Sequence, residues 1–365
     1  MPGKKPNART QAADRKRAPT IVDVARLAGV SPATASRAFN GSDRQVKETN
    51  LDRVLAAARQ LDYVPNASAQ TVRRGDTTTV ALLISDITDP YFAWMAAGVI
   101  ERSAEAGLNV TVAVTNRDPQ QELELVRLFR AQRPRVIVLG GSRHQAPGTL
   151  RELREELQAY EADGGRVVDV SQSGMPFDAV SLGNFEGARE LARRLVGIGY
   201  RTFAVIAGPD EPGAGEDRVA GFRDGLAELG LQLREEDVVR GSFNWEGGHD
   251  AVGSLAFDRI ELVFAVNDMI ALGALAGMRE RGLSVPADVA LAGYDDIAPL
   301  RDVTPSLTSV RIPLKRVGAE AVGVGLRTRQ ASQFLATTTP EVVLRDSTPP
   351  RLASPDRLTI LREAK

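Results

Sequence analysis

The chain has 365 residues, no cysteine, two histidines and a formal net charge of −1 at pH 7. The absence of thiols excludes disulfide frameworks and thiol catalysis, and two histidines are too few for a multi-histidine metal centre. No apolar run is long enough to span a membrane, and the basic N-terminus lacks the apolar core of an export signal, so we expect a cytoplasmic protein with no membrane partner.

The charge is distributed unevenly along the chain. Residues 1–75 carry 14 Lys or Arg and 6 Asp or Glu, a net charge of +8, whereas the remainder carries 32 and 41, a net charge of −9. A basic segment joined to an acidic body is typical of a module that lies on nucleic-acid phosphates. Residues 1–18 have six cations and no apolar period, and we expect a disordered basic arm there.

The first predicted element is a pair of short helices within TIVDVARLAGVSPATASRAFN, residues 20–40. Thr20 and Asp23 have the spacing of a capping box at a helix start. Apolar residues then recur with helical spacing at Ile21, Val24, Ala25 and Ala28. Gly29 supplies the left-handed residue that ends this helix, and Ser31 is the cap of a second one.

The second helix has an inner and an outer face. The inner face consists of Ala35, Ala38 and Phe39. The outer face is short and polar apart from one long cation, and consists of Pro32, Ala33, Thr34, Ser36, Arg37 and Asn40. Such a helix fits the major groove of DNA, where Arg can grip guanine through two hydrogen bonds and Ala or Pro can contact a thymine methyl. A merely structural helix pair is the alternative interpretation.

A third amphipathic helix is predicted from Val54, Leu55, Ala58 and Leu61. It would close a three-helix domain whose centre contains Val24, Phe39 and Val54. We therefore expect a small all-α helix-turn-helix domain over residues 19–64.

Residues 20–40 resemble the DNA-binding domain of the lactose-repressor (LacI/GalR) family. They match its pattern T-I-x-D-V-A-x-x-A-G-V-S-x-x-T-V-S-R-x-x-N at nearly every position, with Ala35 where the family usually has Val. The resemblance implies a bound DNA duplex whose bases are read by Pro32, Ala33 and Arg37. It also implies phosphate contacts from Thr20, Thr34, Ser36, Asn40 and Lys47, although Lys47 stands where the family has a capping Ser.

The next segment, residues 65–77, resembles the hinge of the same family through the match Y-x-P-N-A-x-A that begins at Tyr63. In those proteins the hinge becomes a helix on the operator, pairs with its twin in a dimer and inserts an apolar side chain into the minor groove. The resemblance assigns this role to Asn66, Ala69 and Val72, with Val72 where the family generally has Leu. An ordinary interdomain linker is the alternative.

Beyond Thr78 the pattern changes to short apolar runs, bounded by turn residues and mostly separated by helical patterns. This alternation indicates doubly wound parallel sheets covered by helices on both faces. A segment of about 290 residues is too long for a single hydrophobic core of ordinary size, which suggests two lobes. The eight predicted strands are residues 80–85, 108–116, 135–141, 166–171, 179–183, 202–208, 262–267 and 289–296.

This part of the chain resembles the periplasmic-binding-protein-like effector domain of the LacI/GalR family. The resemblance implies two lobes, with chain crossings near Gly174, Leu300 and Arg327. It predicts a first lobe of residues 78–174 and 300–326 and a second lobe of residues 175–299 and 327–350, followed by a tail of residues 351–365. The tail shows no leucine heptad, which argues against a tetramerising coiled coil.

Ligands of open α/β sheets bind beyond the carboxyl ends of the strands, and here two such edges would face each other. The strand ends carry carboxylates, amides, an arginine and aromatic faces, for example at residues 86–92, 116–118 and 294–296. These groups suit a polyhydroxylated or heterocyclic ligand. Carried over from the family, the effector-binding residues would be Asp89, Tyr91, Phe92, Arg218, Phe243, Asn267, Asp268 and Asp295.

Some family positions differ. Ser171-Gln172 replaces the frequent Asp-Arg after one strand, and Gly183-Asn184 replaces Asp-Asn after the next. For individual residues other interpretations stay open: Phe92 and Phe243 would equally suit core packing, and Arg218 and Asp295 a salt bridge on a helix flank.

No enzyme motif is found. Adjacent residues on a helix point about 100° apart, so we expect His249 and Asp250 not to form a catalytic pair. We predict no catalytic residue, no metal and no cofactor. The sequence instead predicts a homodimeric or higher-order transcription factor, a repressor whose affinity for operator DNA is controlled by a carbohydrate effector. The alternatives are a transporter's solute-binding protein and a cytoplasmic sugar-binding or sugar-modifying protein, but neither explains the first 75 residues.

Overall fold

The computed structural model describes residues 19–40, 46–64, 77–141, 147–170, 175–210, 213–328 and 332–351. The chain divides into two units, Met1–Asp76 and Thr77–Lys365. The predicted basic arm, the hinge up to residue 76 and the tail from residue 352 lie outside the described residues.

The described part of the first unit consists of three helices: α1 (Ile21–Ala28), α2 (Pro32–Asn40) and α3 (Glu48–Gln60). Their ends form as the sequence predicts. The Asp23 carboxylate accepts the Thr20 amide at 2.9 Å and the Thr20 hydroxyl at 2.6 Å, which anchors the start of α1. Gly29 ends α1 with φ +64°, and the Ser31 hydroxyl accepts the Thr34 amide at 3.1 Å at the start of α2.

One apolar cluster holds these helices together. Its buried members are Val24, Ala25, Ala28, Ala35, Val54, Ala57 and Ala58. Phe39 and Tyr63 pack at its edge with ring centroids 5.7 Å apart. Val24 and Val54 are therefore confirmed at the centre, whereas Phe39 is only partly buried at its edge. The place given to Leu55 is wrong, because its side chain is exposed while Ala57 occupies the inner face.

The second unit contains two six-stranded sheets and eight α-helices among its described residues. The strands are β1 (Thr79–Ile84), β2 (Asn109–Val114), β3 (Val136–Gly140), β4 (Arg166–Val170), β5 (Asp178–Ser181), β6 (Phe203–Ala207), β7 (Val238–Arg240), β8 (Leu262–Ala265), β9 (Ala290–Asp295), β10 (Thr308–Arg311), β11 (Leu335–Thr337) and β12 (Glu341–Val343). The helices are α4 (Pro90–Glu105), α5 (Pro119–Gln132), α6 (Pro147–Ala162), α7 (Asn184–Gly197), α8 (Ala214–Ala227), α9 (Trp245–Ala251), α10 (Asp268–Glu280) and α11 (Leu314–Leu326). Short 3₁₀ helices lie at Glu235–Asp237, Val252–Ser254 and Ala298–Arg301.

The first sheet has the order β11-β5-β4-β3-β1-β2, and all of its pairs are parallel. The second has the order β12-β10-β9-β8-β6-β7, and only the β10–β12 pair is antiparallel. Both faces are covered: in β1, Leu82 and Ile84 belong to one apolar cluster and Ala81 and Leu83 to another. This two-residue alternation over a continuously apolar strand is the pattern of a buried parallel sheet.

All eight predicted strands are confirmed, with ends shifted by at most two residues. The sequence analysis missed β7, β10, β11 and β12, which have three or four residues each. Runs this short give no usable periodicity, because a single turn of helix or a loop fits them equally well.

The predicted lobe boundaries are wrong at all three crossings. Strand β5 pairs with β4 in the first sheet, so the chain leaves the first lobe after Ser181 and not near Gly174. Strand β10 pairs with β9 in the second sheet, and β11 pairs with β5 in the first. The crossings therefore follow β5, β10 and β11, because hydrogen bonding to a neighbouring strand assigns each short segment to its sheet.

Helices α4 and α11 pack closely on each other in the first lobe. A side chain on Gly98 would overlap the Lys315 carbonyl oxygen, and one on Gly318 would overlap the Met95 carbonyl oxygen. The two glycines thus allow backbone-to-backbone contact. This packing attaches α11, which is distant in sequence, to the first lobe.

Candidate functional site

The predicted base-reading residues lie on α2. Pro32 and Ala33 are exposed, and Arg37 is half-buried. The Arg37 Nε donates to the Ala33 carbonyl oxygen at 3.1 Å, which lays the guanidinium along its own helix. This hydrogen bond uses only the Nε, whereas a bidentate contact with guanine would use the two terminal nitrogens.

The predicted phosphate-contacting residues differ in what their side chains do. The Thr20 hydroxyl donates to Asp23, and the hydroxyls of Thr34 and Ser31 lie 2.9 Å apart. Ser36 is half-buried and Lys47 is exposed just before α3. Phosphate oxygens accept hydrogen bonds, and a hydroxyl has only one proton to donate. A hydroxyl that already donates within the helix cap would therefore have to rotate to contact a phosphate. The Asn40 side chain, Asn66, Ala69 and Val72 lie outside the described residues.

A cavity of about 30 Å³ lies where the two lobes face each other in the second unit. It is bordered by residues that follow β1, β2 and β3 in the first lobe, and in the second lobe by residues that follow β6, β7 and β8 and by the last residue of β9. This is the carboxyl edge of both sheets, where ligands of open α/β folds bind. The lining residues are Asp89, Tyr91, Phe92, Arg117, Gly141, Ala214, Arg218, Phe243, Asn267 and Asp295.

Seven of the eight predicted effector-binding residues line this cavity, and Asp268 is the exception. The Asp268 carboxylate accepts the Ser309 hydroxyl and the Ile297 amide, both at 2.8 Å, and the side chain is buried. It therefore joins α10 to β10 and to the turn after β9. The expectation that Asp268 forms part of the cavity wall is not met, because its hydrogen bonds hold the carboxylate among these structural elements.

Arg218 is the centre of the hydrogen-bond network of the second lobe. Its Nη2 donates to Asp295 at 2.8 Å, its Nη1 to the Val266 carbonyl at 2.7 Å, and its Nε to the Asn184 amide oxygen at 3.0 Å. The guanidinium carbon lies 3.9 Å from the centre of the Tyr294 ring. Only 2 % of Arg218 is exposed, so the salt bridge with Asp295 is internal and not on a helix flank.

Burial raises the pKa of two carboxyl groups at the cavity. Burial raises the pKa of Asp295 to about 7, against the opposing effect of the Arg218 charge, and the nearby Asp89 carboxylate adds to the rise. Burial also raises the pKa of Asp89, whose carboxylate accepts the Tyr91 amide at 2.9 Å at the start of α4. Such shifts occur where buried charge is held ready for a ligand, as well as in purely structural pairs.

Arg117 was missing from the predicted set, although its position after a strand end pointed to it. It follows β2, has φ +59°, and lies in the first lobe. Its Nη2 donates to the Phe243 carbonyl of the second lobe at 3.4 Å, and its guanidinium carbon lies 5.4 Å from the Phe243 ring centre. Burial lowers the pKa of Arg117, and the Asp89 and Asp86 carboxylates oppose this shift. Arg117 thus bridges the lobes beside the cavity.

Asn184 is a second residue that the predicted set lacked. It begins α7 and is buried, and its amide oxygen accepts the Arg218 Nε. The preceding Gly183 has φ +63°, where a side chain is strained. Gly183 is the residue that differs from the family here, and it places a left-handed backbone turn directly before Asn184, the acceptor of Arg218. Ser171 and Gln172 lie outside the described residues.

The angular reason that argued against a His249–Asp250 pair does not hold, because the two side chains are within hydrogen-bond distance of each other. The His249 Nδ1 lies 3.1 Å from the Asp250 carboxylate, and its Nε2 lies 2.9 Å from the Glu280 carboxylate. These carboxylates raise the pKa of His249. Both ring nitrogens are engaged, so neither is available as a base in this arrangement.

In the ranges that the structure covers, no three His, Cys, Asp or Glu side chains converge as metal ligands would. None of the helices in those ranges is long and apolar enough to cross a membrane.

Comparison with known proteins identifies both units. Residues 20–66 match the family model described as bacterial regulatory proteins, lacI family, and residues 192–348 match that of the periplasmic binding protein-like domain. The HTH-type transcriptional regulator CelR of Thermobifida fusca is 34% identical over 315 residues, which cover 84% of this chain and 91% of CelR. The ribose operon repressor of Escherichia coli (strain K12) is 30% identical over 308 residues, with the same two coverages.

A solved structure of similar fold is the transcriptional regulator CelR-cellobiose complex. Its TM-score is 0.64 at 30% sequence identity, and the match covers 90% of this chain and 99% of that chain. The helix-turn-helix unit and the two-lobed α/β unit therefore occur together in these relatives over almost their full length. The chain belongs to the LacI family of bacterial regulatory proteins.

Proposed function

We propose that this protein is a repressor that binds operator DNA as a homodimer and responds to a carbohydrate held between its lobes. The observation that carries the proposal is the convergence of seven predicted effector residues on one cavity, bridged across the lobes by Arg117. Such a cavity gives the protein a place to sense a metabolite, and helix α2 of the other unit is available to read DNA.

In this proposal, α2 enters the major groove. Arg37, Pro32 and Ala33 contact base edges, because Pro32 and Ala33 are exposed and Arg37 is held along the same helix. The backbone phosphates are contacted by Thr20, Thr34, Ser36, Asn40 and Lys47, and the minor groove by the hinge residues Asn66, Ala69 and Val72. One three-helix unit buries too little surface for tight specific binding, so two units act on a pseudo-palindromic site.

The chemistry of the cavity supports a carbohydrate as effector. Carboxylate, guanidinium and amide groups at Asp89, Arg218 and Asn267 can hydrogen-bond several hydroxyls, and Phe92 and Phe243 offer flat apolar faces for a sugar ring. A volume of about 30 Å³ holds little more than a water molecule, so a sugar requires the lobes to separate. CelR was solved with cellobiose, which is a precedent for a sugar in a relative.

Control of DNA binding follows from this movement. A sugar that binds one arrangement of the lobes better than the other shifts the protein towards that arrangement. If the two arrangements differ in operator affinity, operator DNA must change sugar affinity by the same factor. The protein acts on DNA and is expected to work in the cytoplasm without catalysis.

The proposal is tested by selecting duplexes from a random pool with the full-length protein and measuring their affinity at fixed salt concentration. Sugars that raise the melting temperature of the protein are then added to the selected operator. We expect at least one sugar to change operator affinity with little effect on random DNA. Failure to enrich any sequence would contradict the DNA-reading role.

The sugar-modifying alternative is tested on the same preparation. The stabilising sugars are incubated with the protein and analysed for products. Turnover would contradict the regulatory interpretation of the cavity, whereas binding without turnover agrees with it.

A further inference from the structure

Tyr294 lies directly behind the cavity between the lobes, which we call the effector cavity. It precedes Asp295 on β9, and its side chain is completely buried. The carbon of the Arg218 guanidinium lies 3.9 Å from the centre of the Tyr294 ring, and Arg218 borders the effector cavity. The ring is therefore in contact with an arginine that an effector would meet.

The hydroxyl of Tyr294 reaches the start of α7. It lies 3.3 Å from the carbonyl oxygen of Gly183 and 3.3 Å from that of Asn184. Each contact is longer than a single hydrogen bond between oxygens, as expected when one proton is shared between two acceptors. Burial raises the pKa of Tyr294, against the opposing effect of the Arg218 charge. The hydroxyl therefore keeps its proton and remains a donor to this segment.

This segment belongs to one of the three connections between the lobes. Residues 182–183 join β5 of the first sheet to α7 of the second lobe, and residues 338–340 join β11 of the first sheet to β12 of the second. We call them the paired connections, because they run side by side. The Thr338 amide donates to the Ser181 carbonyl at 2.9 Å, and a Cβ atom on Gly183 would lie 2.9 Å from the Pro340 ring. Tyr294 thus donates to the chain at a point where two lobe crossings touch.

Gly187 makes room for this contact. A Cβ atom at this position on α7 would overlap the Tyr294 hydroxyl oxygen and would lie 2.9 Å from the Pro340 Cβ. A glycine here therefore lets the tyrosine hydroxyl and the second of the paired connections approach the first turn of α7 together.

Arg218 and Tyr294 hold the same residue from two directions. The Asn184 side-chain oxygen accepts the Arg218 Nε at 3.0 Å, and the Asn184 backbone carbonyl accepts the Tyr294 hydroxyl. Because the guanidinium also lies over the ring, the three residues form a closed set of contacts. A guanidinium that turns towards an effector must change its contact with Asn184 or with Tyr294. Closely packed interiors have few alternative positions, so such a change is passed on to the neighbouring groups.

We infer that Tyr294 is a positioning residue that sets the angle between the two lobes. Its ring follows the position of Arg218, and its hydroxyl holds the paired connections. A ligand that displaces Arg218 thereby changes the angle that the lobes prefer. This last step rests on the proposed function, whereas the hold on the connections does not. Tyr294 does not line the effector cavity, so its role is distinct from ligand binding.

The lobe angle can be measured by spin labelling, because the chain has no cysteine of its own. Leu128→Cys on α5 and Leu229→Cys after α8 place one nitroxide on each lobe of the full-length protein, at side chains that are 52% and 46% exposed. Pulsed electron paramagnetic resonance gives the distribution of distances between the two labels. An excess of unlabelled protein keeps distances within one chain dominant in any oligomer.

Tyr294→Phe in the labelled protein removes the hydroxyl and keeps the ring on Arg218. We expect a shifted or broader distance distribution. We also expect roughly fivefold faster amide hydrogen exchange in peptides that contain residues 181–187 and 336–341, the effect of one lost hydrogen bond.

Tyr200→Phe is the matched control. Tyr200 is buried in the same lobe, its hydroxyl donates to the Pro349 carbonyl at 3.0 Å, and the Arg351 guanidinium lies over its ring. The variant therefore loses a comparable hydrogen bond away from the paired connections. It should lower stability in urea about as much as Tyr294→Phe and leave the distances unchanged.

A second pair of variants approaches the same contact from α7. Gly187→Ala should also change the distances, because its methyl group displaces the Tyr294 hydroxyl or Pro340. Gly197→Ala at the end of the same helix is its control, since the new methyl group would meet no atom within 4 Å apart from the neighbouring backbone of its own helix. Circular dichroism verifies that every variant is folded.

Arg218→Lys tests the link to the effector cavity without a ligand. A lysine keeps the positive charge but cannot reproduce the three hydrogen bonds of the guanidinium. We expect it to change the distance distribution when Tyr294 is present, and to change it clearly less in the Tyr294→Phe background, because residues in contact have non-additive effects.

Unchanged distances in Tyr294→Phe would overturn the proposal even if stability fell, since the hydroxyl would then be merely structural. Equal changes in Tyr294→Phe and Tyr200→Phe would also overturn it, and so would additive effects of Arg218→Lys and Tyr294→Phe. These measurements involve neither a sugar nor operator DNA, so such results leave the proposed function untouched. Conversely, a protein that bound no sugar would contradict the proposed function without altering the measured lobe angle.

Discussion

Arg218 and Asp295 form a salt bridge inside the second lobe, with Nη2 and Oδ1 2.8 Å apart and both side chains at most 6% exposed. The pair connects α8 to the end of β9 at the wall of the effector cavity. Removing two charges from water is costly, and such a pair is stable only when the remaining hydrogen bonds are satisfied. Asn184 and the Val266 carbonyl satisfy those of the guanidinium.

We therefore predict that Arg218→Met destabilises the effector domain by about 3–5 kcal/mol, because it leaves a buried carboxylate without its partner. Urea unfolding measures this loss. Arg193→Met on the exposed surface of α7 is the control and should cost less than about 1 kcal/mol. A similar small loss for Arg218→Met would show that the salt bridge contributes little.

The raised pKa of Asp295 predicts a pH dependence. A carboxyl group whose pKa is raised by folding to about 7 binds its proton more tightly in the folded state. Its contribution to stability is therefore greatest at low pH, falls as the pH rises from about 4 to 7, and is constant above that range.

Urea unfolding at pH 5 and pH 8 tests this sign. The stability of the unmodified protein relative to Asp295→Asn should fall by at least about 1.4 kcal/mol between these pH values, the equivalent of one pKa unit. The variant itself supplies the control, since it retains all other titrating groups. If the stability of the two proteins changed with pH in parallel, the pKa of Asp295 could not be raised by folding.

Arg117 bridges the lobes through Phe243, so its removal should loosen the cleft. For Arg117→Ala we predict faster amide hydrogen exchange in peptides that contain residues 115–118 and 241–245. The increase should be roughly fivefold, which corresponds to the about 1 kcal/mol of one hydrogen bond. Arg102→Ala on α4 is the control, since Arg102 pairs only locally with Glu105. Unchanged exchange near Phe243 would contradict a bridging role.

If Arg37 makes the proposed bidentate base contact, Arg37→Ala should reduce operator affinity by about 1–3 kcal/mol and relax sequence preference. The measurement is a titration of selected operator and of random DNA at one salt concentration. Arg26→Ala is the matched control, since Arg26 is 75% exposed on α1 and pairs with Asp23. Equal losses on both DNAs would mean that Arg37 contacts only phosphates.

The close packing of α4 and α11 predicts opposite effects for two glycines on one helix. Gly318→Ala should destabilise the first lobe by about 1–3 kcal/mol, since its methyl group would overlap the Met95 carbonyl. At Gly323 the new methyl group would meet no atom within 4 Å apart from the neighbouring backbone of its own helix, so Gly323→Ala should stabilise α11 by up to about 1 kcal/mol. Thermal unfolding distinguishes them, and a destabilising Gly323→Ala would contradict the argument.

Local features were predictable at positions where few residue types suit the local conformation. Gly29 adopts the left-handed conformation expected of it, Asp23 and Ser31 cap their helices, and the eight long apolar runs are strands. Each of these outcomes depends on neighbouring residues only, and so a single segment carries the necessary information.

Site residues were predictable only as a set. Asp268 and Asp295 are both carboxylates at the carboxyl ends of strands. Ser309 and Ile297 hold the Asp268 carboxylate among structural elements, whereas Asp295 lines the cavity. Arg117 lies 126 positions from its partner Phe243. The direction in which such side chains turn depends on neighbours that are distant in sequence.

The sequence by itself determined the three-helix DNA-binding unit, the alternation of strands and helices, and the sheet edges at which a ligand site would form, because these follow from capping, periodicity and the geometry of parallel strands. The tertiary structure alone decided which lobe receives β5, β10 and β11, how Arg117 reaches across to Phe243, and how Asp295 and Asp296 turn to separate arginine networks. Those features arise from pairing and burial between remote segments, for which a local pattern contains no signal.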